Sequence, residues 1–193
     1  VNYISTWLVE KKLISSAQNL MIPPIRTQKN GNLAISDHPK LSSVLILLLE
    51  RGGKIFFVVT QRQEYDGVHS GQISLPGGQF EQNDLNLEKT AIRETQEEIG
   101  ISIDKISVLG KLSDLYIPPS NFKVTPYVGV IFENPMYKKD ELEVAKIIEV
   151  PIDELLDESN VKTKSFYGTS GLKIEAPYFH VQDIEIWGAT AMI

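Results

Sequence analysis

Cysteine is absent from the 193-residue chain. Its absence excludes disulfides, thiol nucleophiles and Cys-ligated metals, so a bound metal would have to be held by oxygen or nitrogen. The redox compartment stays open on this ground, and a cytoplasmic setting is the simplest expectation. Long apolar runs are missing as well. The longest, residues 44–49, is far short of the roughly 20 residues that cross a bilayer, and no cleavable signal stands at Val1. Position 1 is not Met, and the chain closes on Ala191-Met192-Ile193 inside an apolar stretch, so trimming at one or both ends is expected. An excess of positive charge is lacking too: the formal net charge is −6, which argues against a broad nucleic-acid-binding surface. With no internal repeat, low-complexity tract or linker, one domain is expected. Residues 1–40 would form an N-terminal helix (residues 6–15) and a Pro-broken connector through Pro23 and Pro24, attached to a main body at 41–193.

What the chain does have is an ordinary globular balance, 42% hydrophobic and 23% charged, and enough length for a sizeable core. Charge is unevenly spread: residues 1–75 carry 8 Lys/Arg against 5 Asp/Glu, and residues 76–193 carry 11 against 20. A basic front half beside an acidic rear half suits an anionic substrate that bridges to a cation. Strands are expected at 41–49 and 55–60 around the turn Arg51-Gly52-Gly53-Lys54, then at 103–112, 124–132 and 144–150. Pro118-Pro119-Ser120-Asn121 and Tyr167-Gly168-Thr169-Ser170-Gly171 read as turns, Pro151 as the start of a short helix to Leu156, and Trp187-Gly188-Ala189-Thr190 as the opening of a terminal helix. Strands interleaved with helices and hairpins predict an α/β protein with a mixed β-sheet covered by helices on its faces.

One stretch organises the rest: Leu75-Pro76-Gly77-Gly78, leading through Asp84 to Arg93-Glu94-Thr95-Gln96-Glu97-Glu98-Ile99-Gly100. Residues 85–99 are good helix formers without internal Pro or Gly, and Gly100 is a natural stop. On that helix Glu94, Glu97 and Glu98 stand at i, i+3 and i+4 and share a face, with Ala91, Ile92, Thr95 and Ile99 opposite. Three like charges repel one another and call for a cation, and an all-oxygen set suits Mg²⁺ or Mn²⁺. Arg93, four residues before Glu97, can hold that carboxylate in place. Pro76-Gly77-Gly78 is a turn in which backbone comes close to a metal or phosphate. A solvated helix face is the plainer reading of a Glu run, but the Gly-Gly turn and the flanking Arg at these spacings favour a site.

The stretch resembles the Nudix box of Nudix hydrolases: Gly, five residues, Glu, seven residues, then Arg-Glu-hydrophobic-x-Glu-Glu-x-Gly-hydrophobic. Counting from Gly78, the acidic position is Asp84, eight residues separate it from Arg93, and Thr95 replaces the aliphatic residue; residues 93–101 otherwise follow the pattern. The resemblance implies the Nudix α/β/α sandwich and hydrolysis of a diphosphate with a divalent ion held by Glu94, Glu97, Glu98 and the Gly78 backbone. It points to Glu98 or Glu143 as the base that activates water.

Further stretches resemble coenzyme A diphosphatases within that family: Thr60-Gln61-Arg62, His69-Ser70-Gly71-Gln72-Ile73-Ser74-Leu75-Pro76-Gly77-Gly78, Val124-Thr125-Pro126-Tyr127-Val128-Gly129, Glu141-Leu142-Glu143-Val144 and Trp187-Gly188-Ala189-Thr190-Ala191. Gln63, Gly67 and Leu75 depart from that motif, where Ser or Ala, a basic residue and Phe are usual. The resemblance implies a coenzyme A-like nucleotide as substrate, bound through Arg62, His69, Gly77 and Gly78, with products 4′-phosphopantetheine and adenosine 3′,5′-bisphosphate. With Gly67 uncharged, Arg62, His69, Arg26 or Lys29 would meet the 3′-phosphate. His69 is read as a loop or phosphate contact rather than a base. No nucleic-acid or membrane partner is expected, and a homodimer is among the assemblies the chain is compatible with. The alternatives are hydrolysis of ADP-ribose, NADH or another nucleoside diphosphate derivative, and a nucleotide-sensing domain without turnover.

Overall fold

The structure is a computed structural model that describes residue 18 and residues 20–22, 37–64, 71–167 and 173–193. The expected helix at 6–15, the Pro23-Pro24 connector, Arg26, Lys29, Gly67, His69 and the turn residues 168–171 lie outside the described residues.

Strands β1 (Lys40–Arg51) and β2 (Lys54–Arg62) form the expected hairpin. Its turn places Gly52 and Gly53 at φ 59° and 78°, where a side chain would be strained. Two short strands follow, β3 (Ile73–Ser74) and β4 (Gly77–Gln79), then helix α1 (Leu87–Ile99). Strands β5 (Ser107–Lys111), β6 (Leu115–Ile117), β7 (Phe122–Ile131) and β8 (Val144–Pro151) complete an eight-stranded sheet. β1 runs parallel to β7 from Lys40 opposite Phe122 to Leu49 opposite Ile131, whereas its pairings with β2 and β4 are antiparallel. The sheet is therefore mixed, as expected.

After β8 come α2 (Ile152–Leu156), β9 (Val161–Tyr167), β10 (Lys173–Val181), β11 (Ile184–Trp187) and α3 (Gly188–Met192), with β9 to β11 forming a separate antiparallel sheet. Alternation along β1 explains the layering. Leu45, Leu47 and Leu49 pack with Val58, Ala91, Ile92 and Ile99 under α1. Leu48 turns the other way, joining Phe57, Val59, Val150, Val181 and Ile186 against the second sheet. Burial on both faces is why residues 44–49 read as a continuous apolar run. The second face is thus covered by a small sheet with two short helices, where helices were expected. Among the described residues no helix is long and apolar enough to cross a membrane.

Local boundaries differ from expectation for chemical reasons. α1 begins at Leu87 rather than 85, because the Asn86 side chain accepts a hydrogen bond from the Lys89 amide and caps the helix. Gly100 ends it at φ 74°. The predicted strand at 103–112 starts instead with a short 3₁₀ turn, Ile103–Lys105, and pairs only from Ser107. Pro151 closes β8, and the short helix begins one residue later at Ile152.

Candidate functional site

The site is assembled where β4, α1, the end of β2 and the turn before β8 meet. Gly77 sits at φ 154°, and a Cβ there would overlap the backbone of Ser43 and Val44 in β1. At Gly78 a Cβ would overlap the Glu94 carboxylate, so the two glycines bring β4 against both the sheet and the helix. Thr90, Ala91, Ile92, Thr95 and Ile99 form the buried side of α1.

Arg93 uses all of its N–H groups. Nε and Nη2 donate to the two oxygens of Asp84 at 2.9 Å each, Nη1 donates to Glu94 Oε1 and Glu97 Oε2 at 2.9 Å each, and Nη2 also reaches the Gln79 carbonyl at 3.2 Å. Asp84 accepts further bonds from the Thr90 hydroxyl at 2.9 Å and the Glu81 amide at 3.0 Å. The Arg93 hydrogen bonds hold the Asp84 carboxyl well below the usual carboxylate range, and Asp84 in turn raises Arg93. Asp84 was legible only as a departure from a motif; its clasp on Arg93 is a tertiary fact.

The three glutamates are not equivalent. Glu97 is exposed and tied to Arg93. Glu94 lies between Arg93 and the Gly78 backbone; burial raises its pKa, the Arg93 charge opposes this, and Glu97 and Glu143 add to the rise. Glu98 is only 5% exposed. Burial pushes its pKa up to about 8; the Arg62 charge opposes, the charges of Glu94 and Glu143 add, and a hydrogen bond with the Gly77 backbone opposes. Its Oε2 lies 3.5 Å from the Thr60 hydroxyl, which is itself 3.2 Å from Ser74 Oγ. The expected separation of acidic and apolar faces thus breaks at Glu98. Ala91, Thr95 and Glu98 follow a four-then-three spacing that puts all three on the packed side.

Arg62, at the end of β2, has a buried Nε with no hydrogen-bond partner among the described residues. A buried donor left open in this way is uncommon and suits an anionic ligand. Glu143 is exposed on the turn before β8, near enough for its charge to act on both Glu94 and Glu98. His69 lies outside the described residues. The structure therefore brings together Gly77, Gly78, Glu94, Glu97, Glu98, Arg93, Arg62 and Glu143. Thr60 and Thr190 stand in stretches named for their resemblance, but neither the contact of Thr60 with Glu98 nor that of Thr190 with Ile73 was readable from the sequence. The Thr190 hydroxyl donates to the Ile73 carbonyl at 3.1 Å and ties the terminal helix to the segment entering the box.

Among the described residues no three Asp, Glu or His side chains converge as a ready-made metal cage, since Arg93 engages Glu94 and Glu97 while Glu98 faces Thr60 and Gly77. The donor chemistry nevertheless fits a hard divalent cation: the groups are all carboxylates, one of them buried without a cation in hydrogen-bond contact.

The NUDIX domain model matches residues 39–167. The uncharacterized Nudix hydrolases NudL of Yersinia pestis and Yersinia pseudotuberculosis are 36% identical over 137 residues, covering 70% of this chain and 67% of theirs. Among solved structures, a C. elegans Ap4A hydrolase in a binary complex matches with a TM-score of 0.53 at 16% identity, over 61% of this chain and 83% of that one. RenU, a Nudix hydrolase from M. smegmatis, matches at 0.52 and 18% identity, over 62% and 74%. At these identities the two structures speak for the fold, and the family match and the Yersinia relatives speak for the activity. Nudix hydrolases generally need divalent metal ions. The chain belongs to the Nudix family and is a hydrolase acting on nucleoside diphosphate derivatives.

Proposed function

We propose that this hydrolase cleaves the diphosphate of coenzyme A or its derivatives, releasing 4′-phosphopantetheine and adenosine 3′,5′-bisphosphate. The observation that carries the reading is a convergence of distant stretches. Thr60 and Gln61 pair with Ser74 and Ile73, Thr190 bonds back to Ile73, and Thr60 reaches Glu98. Three separate segments that resemble coenzyme A diphosphatases thus meet on the strand entering the Nudix box.

Glu94, Glu97, Glu98 and the Gly78 backbone would hold Mg²⁺ or Mn²⁺. Such an ion supplies charge neutralisation at the diphosphate and lowers the pKa of a bound water. The chain's own groups do the rest. Arg93, with its donors taken by Asp84, Glu94, Glu97 and Gln79, orients the carboxylates rather than the substrate. Arg62 offers its open Nε to a phosphate oxygen. Glu98 or Glu143 takes the proton from the attacking water. His69 and the Gly77 and Gly78 backbone would add substrate contacts. Residues 1–40 join the same unit in this reading, supported by Gln18 Nε2 donating to the Ser113 carbonyl at 3.2 Å and by Met21 packing on Leu115 and Met192. The cytoplasm remains the expected compartment, and a homodimer is one assembly compatible with this reading.

The test is product analysis by liquid chromatography and mass spectrometry after incubation with Mg²⁺ or Mn²⁺ and, separately, coenzyme A, ADP-ribose and NADH. Fastest release of adenosine 3′,5′-bisphosphate from coenzyme A is expected. AMP from ADP-ribose or NADH, with coenzyme A untouched, would overturn the specificity and keep the hydrolytic reading.

A further inference from the structure

Glu143 stands on a turn that no regular element encloses, and the strand ladder beside it is irregular: the register between β2 and β8 shifts between Gln61 and Arg62. Pairing alone therefore does not fix this turn. Two residues do. Asp140 Oδ1 accepts from the Leu142 amide at 2.6 Å and the Glu143 amide at 3.3 Å, and the Asp140 amide donates to the Glu98 carbonyl at 2.9 Å. That ties the turn to the end of α1. From the other side, the Gln63 amide donates to the Glu143 carbonyl at 2.9 Å, and its side-chain Nε2 donates to the carbonyls of Glu141 at 2.9 Å and Val144 at 3.4 Å. Gln63 directly follows Arg62, so one residue links the turn carrying Glu143 to the arginine beside Glu98.

We infer that Gln63 is a positioning residue: its side-chain amide pins the 141–144 turn to the end of β2 and so fixes Glu143 relative to Glu94, Glu98 and Arg62. The inference rests on the reading of Glu143 as part of the hydrolytic site. It depends on donors at the far end of a three-bond side chain. Serine or alanine would not span the gap to both carbonyls, and glutamate, of the same shape, would present oxygen to oxygen.

Two measurements on the full chain test it. In Gln63→Glu, hydrogen–deuterium exchange should quicken by about tenfold or more at the amides of residues 63, 143 and 144, with α1 unchanged. Turnover of coenzyme A with Mg²⁺, or of ADP-ribose or NADH if one of these proves the better substrate, should fall about 10- to 100-fold in kcat with KM nearly unchanged, as expected when a reacting group is displaced. In a Glu143→Gln background the same change should cost less than about threefold, because the group it positions is already gone. Unchanged exchange at 141–144 would overturn the inference whatever the substrate. An equal loss in both backgrounds would overturn it too, since Gln63 would then act without Glu143. Full turnover in Glu143→Gln would strike the reading of Glu143 and the inference together, whereas a slow Glu143→Gln beside a fully active Gln63→Glu would defeat the inference alone.

Discussion

Asp84, in the loop before α1, and Glu98, in its last turn, are both carboxylates with little side-chain exposure, and they behave in opposite ways. Asp84 accepts two bonds from Arg93, one from Thr90 and one from the Glu81 amide, and its carboxyl is held below the normal range. Glu98 has the Gly77 backbone and a long contact to Thr60, no cation in hydrogen-bond contact among the described residues, and a pKa raised to about 8. At Asp84 the Arg93 hydrogen bonds outweigh desolvation, whereas at Glu98, which is more deeply buried, desolvation outweighs the charge of Arg62. A saturated carboxylate stabilises the loop before the helix. One buried with few partners keeps its binding capacity for something the chain does not itself supply. The two ends of one helix thus divide structural from chemical duty, with Arg93 between them.

The sharpest way to break that contrast is at Glu98. Glu98→Gln keeps the shape and removes the ionisable group; turnover should fall by at least about 10³-fold while the melting temperature holds or rises, because the cost of burying a carboxyl that is ionised in the unfolded chain is gone. Retained turnover in a steady-state assay would remove Glu98 from the hydrolytic machinery. Arg93→Ala acts on both ends at once. It leaves Asp84 and Glu94 unpaired, so urea denaturation should register a loss of about 3 kcal/mol in addition to lost activity, and Arg93→Lys should recover little because one ammonium cannot replace the fork.

Asp84→Asn isolates the structural end. The folded pKa lies below the ordinary 3.8, so the ionised form contributes stability at pH above 3.8, and that contribution fades as pH falls through the folded value. The variant should be less stable by about 2 kcal/mol near neutrality, with the gap to wild type narrowing below pH 3.8. A gap that stays constant into strong acid would show that the Asp84 charge is not what matters. The smallest effect is expected at Asn86→Ala, which removes the α1 cap: about 1 kcal/mol by thermal or urea unfolding, with turnover nearly unchanged.

The strands at 41–49, 55–60, 124–132 and 144–150, the hairpin at Gly52-Gly53, the acidic helix with its Gly100 stop and the Arg93–Glu97 pair were all readable as spacing, because each depends on residues close in sequence. The second sheet over the core was not. Nothing local distinguishes an apolar face destined for a helix from one destined for another sheet; Val181 and Ile186 settle that only by packing on Phe57 and Val59. Helix periodicity placed Glu98 beside Glu94 and Glu97, yet the same periodicity sets it in line with Ala91 and Thr95, and the choice between those faces was made by what β2 and β4 press against it.

By itself, then, the sequence determined the chemistry on offer: carboxylates at helical spacing, glycines that admit close approach, no thiol, and an Arg placed to bind a Glu four residues on. The tertiary structure decided what each of those groups experiences. Gly78 against Glu94, Thr60 and the Gly77 backbone against Glu98, Asp84 on Arg93 and Gln63 on the Glu143 turn are contacts between separate segments. Burial and charge partners, which set a carboxylate's pKa and its freedom to bind, exist only once those segments meet.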